Sequence, residues 1–143
     1  KKLNCGLFSI ALLFKNFCNN IIETIMNPKV RIVIADDNAN ILLTLRDILT
    51  EHAYLVDTVK NGYELIAYLR NAEPDIIILD LMMPEKDGIE VFDCLKCLRP
   101  EIKIIIYSAF HRYADSQYAR LASKFILKNS PPQDLLKAIE ELL

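Results

Sequence analysis

The residues able to do chemistry in this chain stand at regular intervals, each closing a short apolar run. Asp36 and Asp37 follow the run from Val30 to Ala35, Asp80 follows Asp75 to Leu79, Ser108 follows Ile102 to Tyr107, and Lys128 follows Lys124 to Leu127. Carboxylates brought together repel and push one another toward the protonated form unless cations join them. An all-oxygen ligand set with no His or Cys beside it suits a hard ion, and Mg2+ uses one or two carboxylates while keeping waters and phosphate oxygens. One divalent ion and the Lys128 ammonium would balance the three acids. An incoming phosphoryl group would bring fresh negative charge for the ion, the ammonium and a hydroxyl to hold, and an aspartate so placed can be the nucleophile.

These groups meet only if the elements bring them together. Val30 to Ala35 reads as a buried strand, and Asn38 caps a helix that keeps Ile41, Leu42, Leu45, Ile48 and Leu49 on one face and ends at His52-Ala53. Tyr54 to Val59 is a second strand, Asn61-Gly62 a turn, and Tyr63 to Asn71 a second helix. Asp75 to Leu79 is a third strand, and Ile89 to Leu98 a third helix stopped by Pro100. Ile102 to Tyr107 is a fourth strand, His111 to Leu121 a fourth helix, Lys124 to Leu127 a fifth strand, and Pro132 to Leu143 a fifth helix with Pro at its first turn. Such alternation predicts an α/β fold: a five-stranded parallel sheet, order 2-1-3-4-5, with helices on both faces. The carboxyl ends of all strands then lie on one edge, where ligands bind, and neighbouring strands only ~4.8 Å apart gather the polar groups into one cleft.

The chain has 143 residues, 52% hydrophobic and 25% charged, with 3 Gly and 6 Pro, which fits one globular domain and excludes collagen-like or disordered chains. A formal charge of -2 offers no basic field for a phosphate backbone, so direct nucleic-acid binding by this segment is not expected. Four Cys are too few for a disulfide scaffold and point to a reducing, cytoplasmic setting. Residues 1–26 stand apart as an N-terminal apolar extension of the unit at 27–143. They read as a leader or fragment end before Met26, as an amphipathic helix lining up Leu7, Ile10, Phe14, Phe17 and Ile21, or as a targeting segment. The extension carries three Lys and one Glu, leaving 14 basic against 18 acidic groups in the rest.

From about Pro28 to Leu143 the chain resembles the receiver domain of bacterial two-component response regulators, a flavodoxin-like fold. The resemblance rests on Asp36-Asp37 after the first strand, Asp80 with Leu81-Met82-Met83-Pro84 and Asp87-Gly88, Ser108-Ala109 after the fourth strand, and Phe125-Ile126-Leu127-Lys128. It implies that Asp80 accepts a phosphoryl group from a histidine kinase or histidine phosphotransfer protein. It also implies that Mg2+ is held by Asp37, Asp80 and the main-chain carbonyl of Met82, with Asp36 helping through water, and that Lys128 pairs with the phosphoryl group. Ser108 would swing to a phosphoryl oxygen and Phe125 turn inward behind it, changing the face of the fourth helix, fifth strand and fifth helix, through which a homodimer is an option. The segment after Lys128 resembles receivers that precede DNA-binding output domains. The resemblance makes the chain a switch rather than an enzyme, apart from its own phosphorylation and dephosphorylation.

Each residue also has a plainer reading. Asp36 and Asp37 would serve as a turn and helix cap, Lys128 as an exposed charge, Ser108 as a turn residue and Phe125 as core. Asp80, directly after three Ile and a Leu, is either costly or employed. Cys94 and Cys97 have the spacing of a redox pair but fall well inside the third helix, and Tyr113 and Tyr118 suit either a signalling face or surface packing. A haloacid-dehalogenase-type phosphatase is the alternative, although it wants an acid where Met82 and Asn38 stand. Three departures from the receiver pattern bear on the site. Asn129 replaces the Pro that commonly follows the Lys through a cis bond, and Leu121 replaces a Gly before the fifth strand. Met82 and Phe110 set bulky apolar groups where the family tunes water access, which predicts slow self-dephosphorylation.

Overall fold

The computed structural model describes residues 9–19, 29–84 and 87–143. Strands β1 (Arg31–Ala35), β2 (Leu55–Val59), β3 (Ile76–Leu79), β4 (Lys103–Ser108) and β5 (Lys124–Leu127) form one five-stranded sheet in the order β2-β1-β3-β4-β5. Every pairing is parallel. Between the strands run α1 (Ala39–Glu51), α2 (Gly62–Tyr68), α3 (Gly88–Leu98) and α4 (Gln117–Leu121), and α5 (Pro132–Leu142) closes the chain.

The sheet is covered on both faces, so its central strands are apolar at consecutive positions instead of alternate ones. Val33, Ala35, Ile77, Leu79, Ile104 and Ile106 pack on Leu65, Val91, Phe92 and Leu95 from α2 and α3. The intervening Ile32, Ile34, Ile76, Ile78 and Ile105 pack on Leu42, Leu45 and Leu49 of α1 and Leu135, Ala138 and Ile139 of α5. Each fully buried aliphatic side chain contributes ~1.5–3 kcal/mol, and Ile78→Ala at the centre would cost ~2–5 kcal/mol through the cavity it leaves.

Local chemistry sets the helix ends. The Asn38 side chain accepts from the N–H groups of Asn40 and Ile41 and starts α1. Ala53, after its end, takes a positive φ of 64° so that the chain can turn into β2. Asn61-Gly62, expected as a turn, instead starts α2: the Asn61 side chain accepts from Glu64 N at 2.8 Å, and the Glu64 carboxylate accepts from Lys60 N at 2.8 Å. The helix expected over His111 to Leu121 is broken into a 3-10 turn at His111–Tyr113 and the short α4. Ser116 makes the break, donating its hydroxyl to Tyr113 O at 2.6 Å and accepting from Ala119 N at 3.3 Å as the cap of α4. Leaving α4, Ala122 is extended at φ -70° and ψ 157°, so the missing Gly is not needed there.

Residues 9–19 are helical, and Ile10, Leu12, Leu13, Phe14 and Phe17 are all more than half exposed. Leu7, Ile21 and Met26, on which the expected stripe and start also depend, lie outside the described residues. Among the described residues no helix is long and apolar enough to cross a membrane.

Candidate functional site

The register places the acids. Ala35 pairs with Leu79, so Asp36 and Asp80 leave adjacent strands at the same level. The ladder continues one step beyond them, with Asp36 N donating to Val59 O at 3.2 Å and Asp80 N to Ala35 O at 2.9 Å. Both side chains are thereby held on rigid backbone at the carboxyl edge. On the far side Ser108 pairs with Leu127, and Lys128 N donates to Ser108 O at 2.8 Å, which aims the following lysine back across the edge.

Asp36, Asp37 and Asp80 each present a carboxylate oxygen within 4.8 Å of the others. Asp36 and Asp80 are buried while Asp37 is exposed, so the cluster has one open side. Lys128 Nζ lies 2.8 Å from Asp80 Oδ2 and 2.6 Å from Asp36 Oδ2, with its side chain only 14% exposed. Asp80 Oδ1 accepts from Met82 N at 3.0 Å, and Asp36 Oδ1 from Asn38 N at 2.8 Å. One ammonium thus faces two buried carboxylates, with a third beside them.

Burial pushes the Asp80 pKa above the ordinary carboxylate value, and the nearby Asp36 charge adds to the push; Lys128 and the Met82 N–H oppose it without cancelling it. Burial alone would lower the Lys128 pKa, but Asp36 and Asp80 outweigh it and raise the value, keeping the ammonium charged. Among the described residues the buried Asp36 Oδ2 has only the Lys128 ammonium, 2.6 Å away, as a partner, and Asp80 shares that ammonium. Three carboxylates gathered around one ammonium leave a surplus of negative charge that a further cation would relieve. The residues present therefore fit a hard divalent ion.

The other expected residues fall around this centre. Ser108 is fully buried and its hydroxyl accepts from Phe110 N at 3.2 Å. Phe125, paired in register with Ile106, is half-buried against the α2–α3 side of the core. Met82 and Phe110 are 41% and 42% exposed. Among the described residues no peptide bond is cis, so Lys128–Asn129 is trans. Cys94 is half-buried and Cys97 exposed on α3, both as free thiols.

Two residues matter more than their side-chain chemistry suggested. A Cβ on Gly88 would stand 2.2 Å from Asp80 O and 2.7 Å from Leu81 Cα, so α3 begins directly against the Asp80 backbone and only glycine fits. Asp87 caps the same helix by accepting from Ile89 N at 2.9 Å. The Asp-Gly pair in the sequence marked the place without giving the reason.

Fold and site together define a doubly wound α/β domain that gathers acids and a lysine at the carboxyl edge of its sheet. The family model described as the response regulator receiver domain matches residues 32–140, and the chain belongs to that family. It is a receiver domain of two-component signalling. It is 32% identical over 115 residues to the chemotaxis protein CheY of Thermotoga maritima, covering 78% of this chain and 96% of that one. Among solved structures it is similar to the response regulator TrrA of Thermotoga maritima in complex with Mg2+ and BeF, with a TM-score of 0.76 and 30% identity, covering 80% of this chain and 99% of that chain. TrrA in complex with the histidine kinase ThkA is also similar, with a TM-score of 0.74 and 30% identity, over 80% of this chain and 98% of that one.

Proposed function

We propose that Asp80 accepts a phosphoryl group from the phosphohistidine of a kinase or phosphotransfer protein. A carboxylate oxygen of Asp80 forms the new P–O bond, the P–N bond breaks, and the imidazole leaves with its electron pair and takes up a proton. The observation that carries this reading is a buried aspartate fixed on both oxygens, by Lys128 Nζ at 2.8 Å and Met82 N at 3.0 Å, beside two further acids. Asp36, Asp37, Asp80 and the main-chain carbonyl of Met82 would hold Mg2+. When bound, the ion supplies the positive charge that lets phosphoryl oxygens approach three carboxylates.

The remaining roles follow from the same edge. Lys128, kept charged by its two carboxylates, pairs with a phosphoryl oxygen. Ser108 reaches another by giving up its bond from Phe110 N, and the half-buried Phe125 moves with it. The affected surface, α4–β5–α5, carries a shallow cavity of about 400 Å3 lined by Phe125, Lys124, Lys137 and Glu141, which suits a polar partner or a second copy. Residues 27–143 are the working unit, with β1 beginning at Arg31, and residues 1–26 are an extension it does not require. A DNA-binding output domain and a cytoplasmic location complete the reading. The domain acts as a switch with its own phosphorylation cycle, and positions 38 and 82 offer Asn and Met where a haloacid-dehalogenase-type phosphatase wants an acid. Incubating the protein with acetyl phosphate and Mg2+ and measuring intact mass tests this: one phosphoryl mass appears in wild type and none in Asp80→Ala, and an undiminished adduct in the variant overturns the assignment.

A further inference from the structure

We propose that Tyr113 is a positioning residue for the chemistry at Asp80, acting through the sulfur of Met82; the inference rests on Asp80 being the phosphoacceptor. Tyr113 Oη donates to Met82 Sδ at 3.2 Å, across 31 residues of sequence. Met82 N in turn donates to Asp80 Oδ1 at 3.0 Å. One side-chain bond therefore ties the loop that follows Ser108 at the end of β4 to the loop after β3, which carries Asp80.

The direction of that bond is fixed by its surroundings. Arg112 Nη2 lies 3.4 Å from Tyr113 Oη and can only donate, so the phenol accepts from the guanidinium and sends its own proton to the sulfur. The guanidinium sits 4.8 Å from the Phe110 ring centre and 5.1 Å from that of Tyr113, and the two rings meet edge to face at 6.4 Å. Tyr113 is thus held from both sides, and its ring packs on the core beneath. Its main chain leads onward, since Tyr113 O accepts from the Ser116 hydroxyl that caps α4. A continuous path of bonds joins Asp80, Met82, Tyr113, Ser116 and the first turn of α4.

Met82 supplies the N–H that orients Asp80 and the carbonyl assigned to the metal, so holding its side chain holds both. Without the phenol hydroxyl the Met82 loop samples more positions and Asp80 is less often ready to react. Losing one neutral hydrogen bond of this kind is expected to change the rate roughly 5-fold, about 1 kcal/mol.

The test is a double-mutant cycle on full-length protein. Tyr113→Phe keeps the ring and removes the hydroxyl; Met82→Leu keeps the bulk and removes the acceptor. Each is expected to slow phosphoryl uptake from acetyl phosphate with Mg2+ by roughly 5-fold, and the double variant by the same factor and not by the product, because both delete one bond. In the metal-free protein with 13C-methyl methionine, Tyr113→Phe is expected to shift the Met82 methyl resonance, a readout independent of phosphorylation. Uptake in Tyr113→Phe equal to wild type, multiplicative losses in the double variant, or an unmoved methyl resonance would each overturn the inference while leaving Asp80 as acceptor. A wild type that takes up no phosphoryl group overturns the underlying reading instead, and the inference with it.

Discussion

Replacing Lys128 with Met removes the cation that, among the described residues, faces Asp36 and Asp80, while keeping most of the side-chain volume. Its Nζ is 2.6 Å and 2.8 Å from the two carboxylates, whose side chains are 2% and 5% exposed, so the pair left behind is buried and uncompensated. Removing one partner of a buried ion pair costs ~3–5 kcal/mol. A second route to the magnitude agrees. The variant can escape by protonating one acid, and lifting a carboxylate from an ordinary pKa of ~3.9 to neutral pH costs about 4 kcal/mol at ~1.4 kcal/mol per pH unit. The loss at pH 7 is therefore about 3–4 kcal/mol, read in urea as a midpoint lower by roughly 2 M.

The pH dependence gives the test its sign. Burial already raises the Asp80 pKa and Lys128 opposes that rise, so in the variant it lies further above the unfolded value and the folded state binds more protons and gains stability as pH falls. The gap to wild type closes toward pH 4. At the other end, the raised Lys128 pKa means that the wild-type advantage is fully present below the ordinary lysine value of 10.5 and is lost as pH rises through the folded value. Millimolar Mg2+ narrows the gap at pH 7 by supplying the missing charge. Urea midpoints for the two proteins between pH 4 and 8 settle the matter; a gap below ~1 kcal/mol at pH 7, or one flat across the range, refutes the ammonium as the element that neutralises the cluster.

Three further outcomes follow from the same geometry. Asp80→Asn should raise stability at pH 7, because the raised Asp80 pKa makes its ionised form a net cost to the fold, and the gain should vanish once pH falls below the ordinary value of 3.8; a destabilised variant in thermal melts at pH 7 would contradict this. Gly88→Ala pushes a methyl into the Asp80 and Leu81 backbone, so it should cost ~1–3 kcal/mol in chemical denaturation and slow phosphoryl uptake as well, whereas unchanged uptake would show that Asp80 does not depend on this contact. Met82→Asn exchanges an apolar group at the site for one that can bind water, so the phosphoryl group should be lost several-fold faster, and equal decay in wild type and variant would remove Met82 from the control of lifetime.

The sheet and its reactive edge were legible because every strand end but the second combines an abrupt change from apolar residues to a reactive polar one. Burial on both faces wrote the central strands as uninterrupted Ile and Leu, and a charge directly after such a run has nowhere to go but the sheet edge. What stayed hidden depends on particular bonds and close contacts, some within one turn of chain and some between segments far apart in sequence. Asn61-Gly62 carries the composition of a turn, and only the reciprocal bonds among Asn61, Glu64 and Lys60 make it a helix start. His111 to Leu121 has helical spacing, but Ser116 bonds forward and back and splits it. Gly88 is an ordinary loop glycine until the Asp80 carbonyl is found where its side chain would be. For Tyr113 the sequence left a signalling face and surface packing equally open, since its partner sulfur belongs to another loop.

The central claim is that Asp80 carries the phosphoryl group. Borohydride reduction of the protein after acetyl phosphate and Mg2+ treatment cleaves an acyl phosphate and leaves the acceptor aspartate as homoserine, which peptide mass spectrometry locates. The account predicts homoserine at position 80 and aspartate retained at positions 36 and 37. Homoserine at either of those positions, or an unreduced phosphoryl group on a serine or tyrosine, would contradict it.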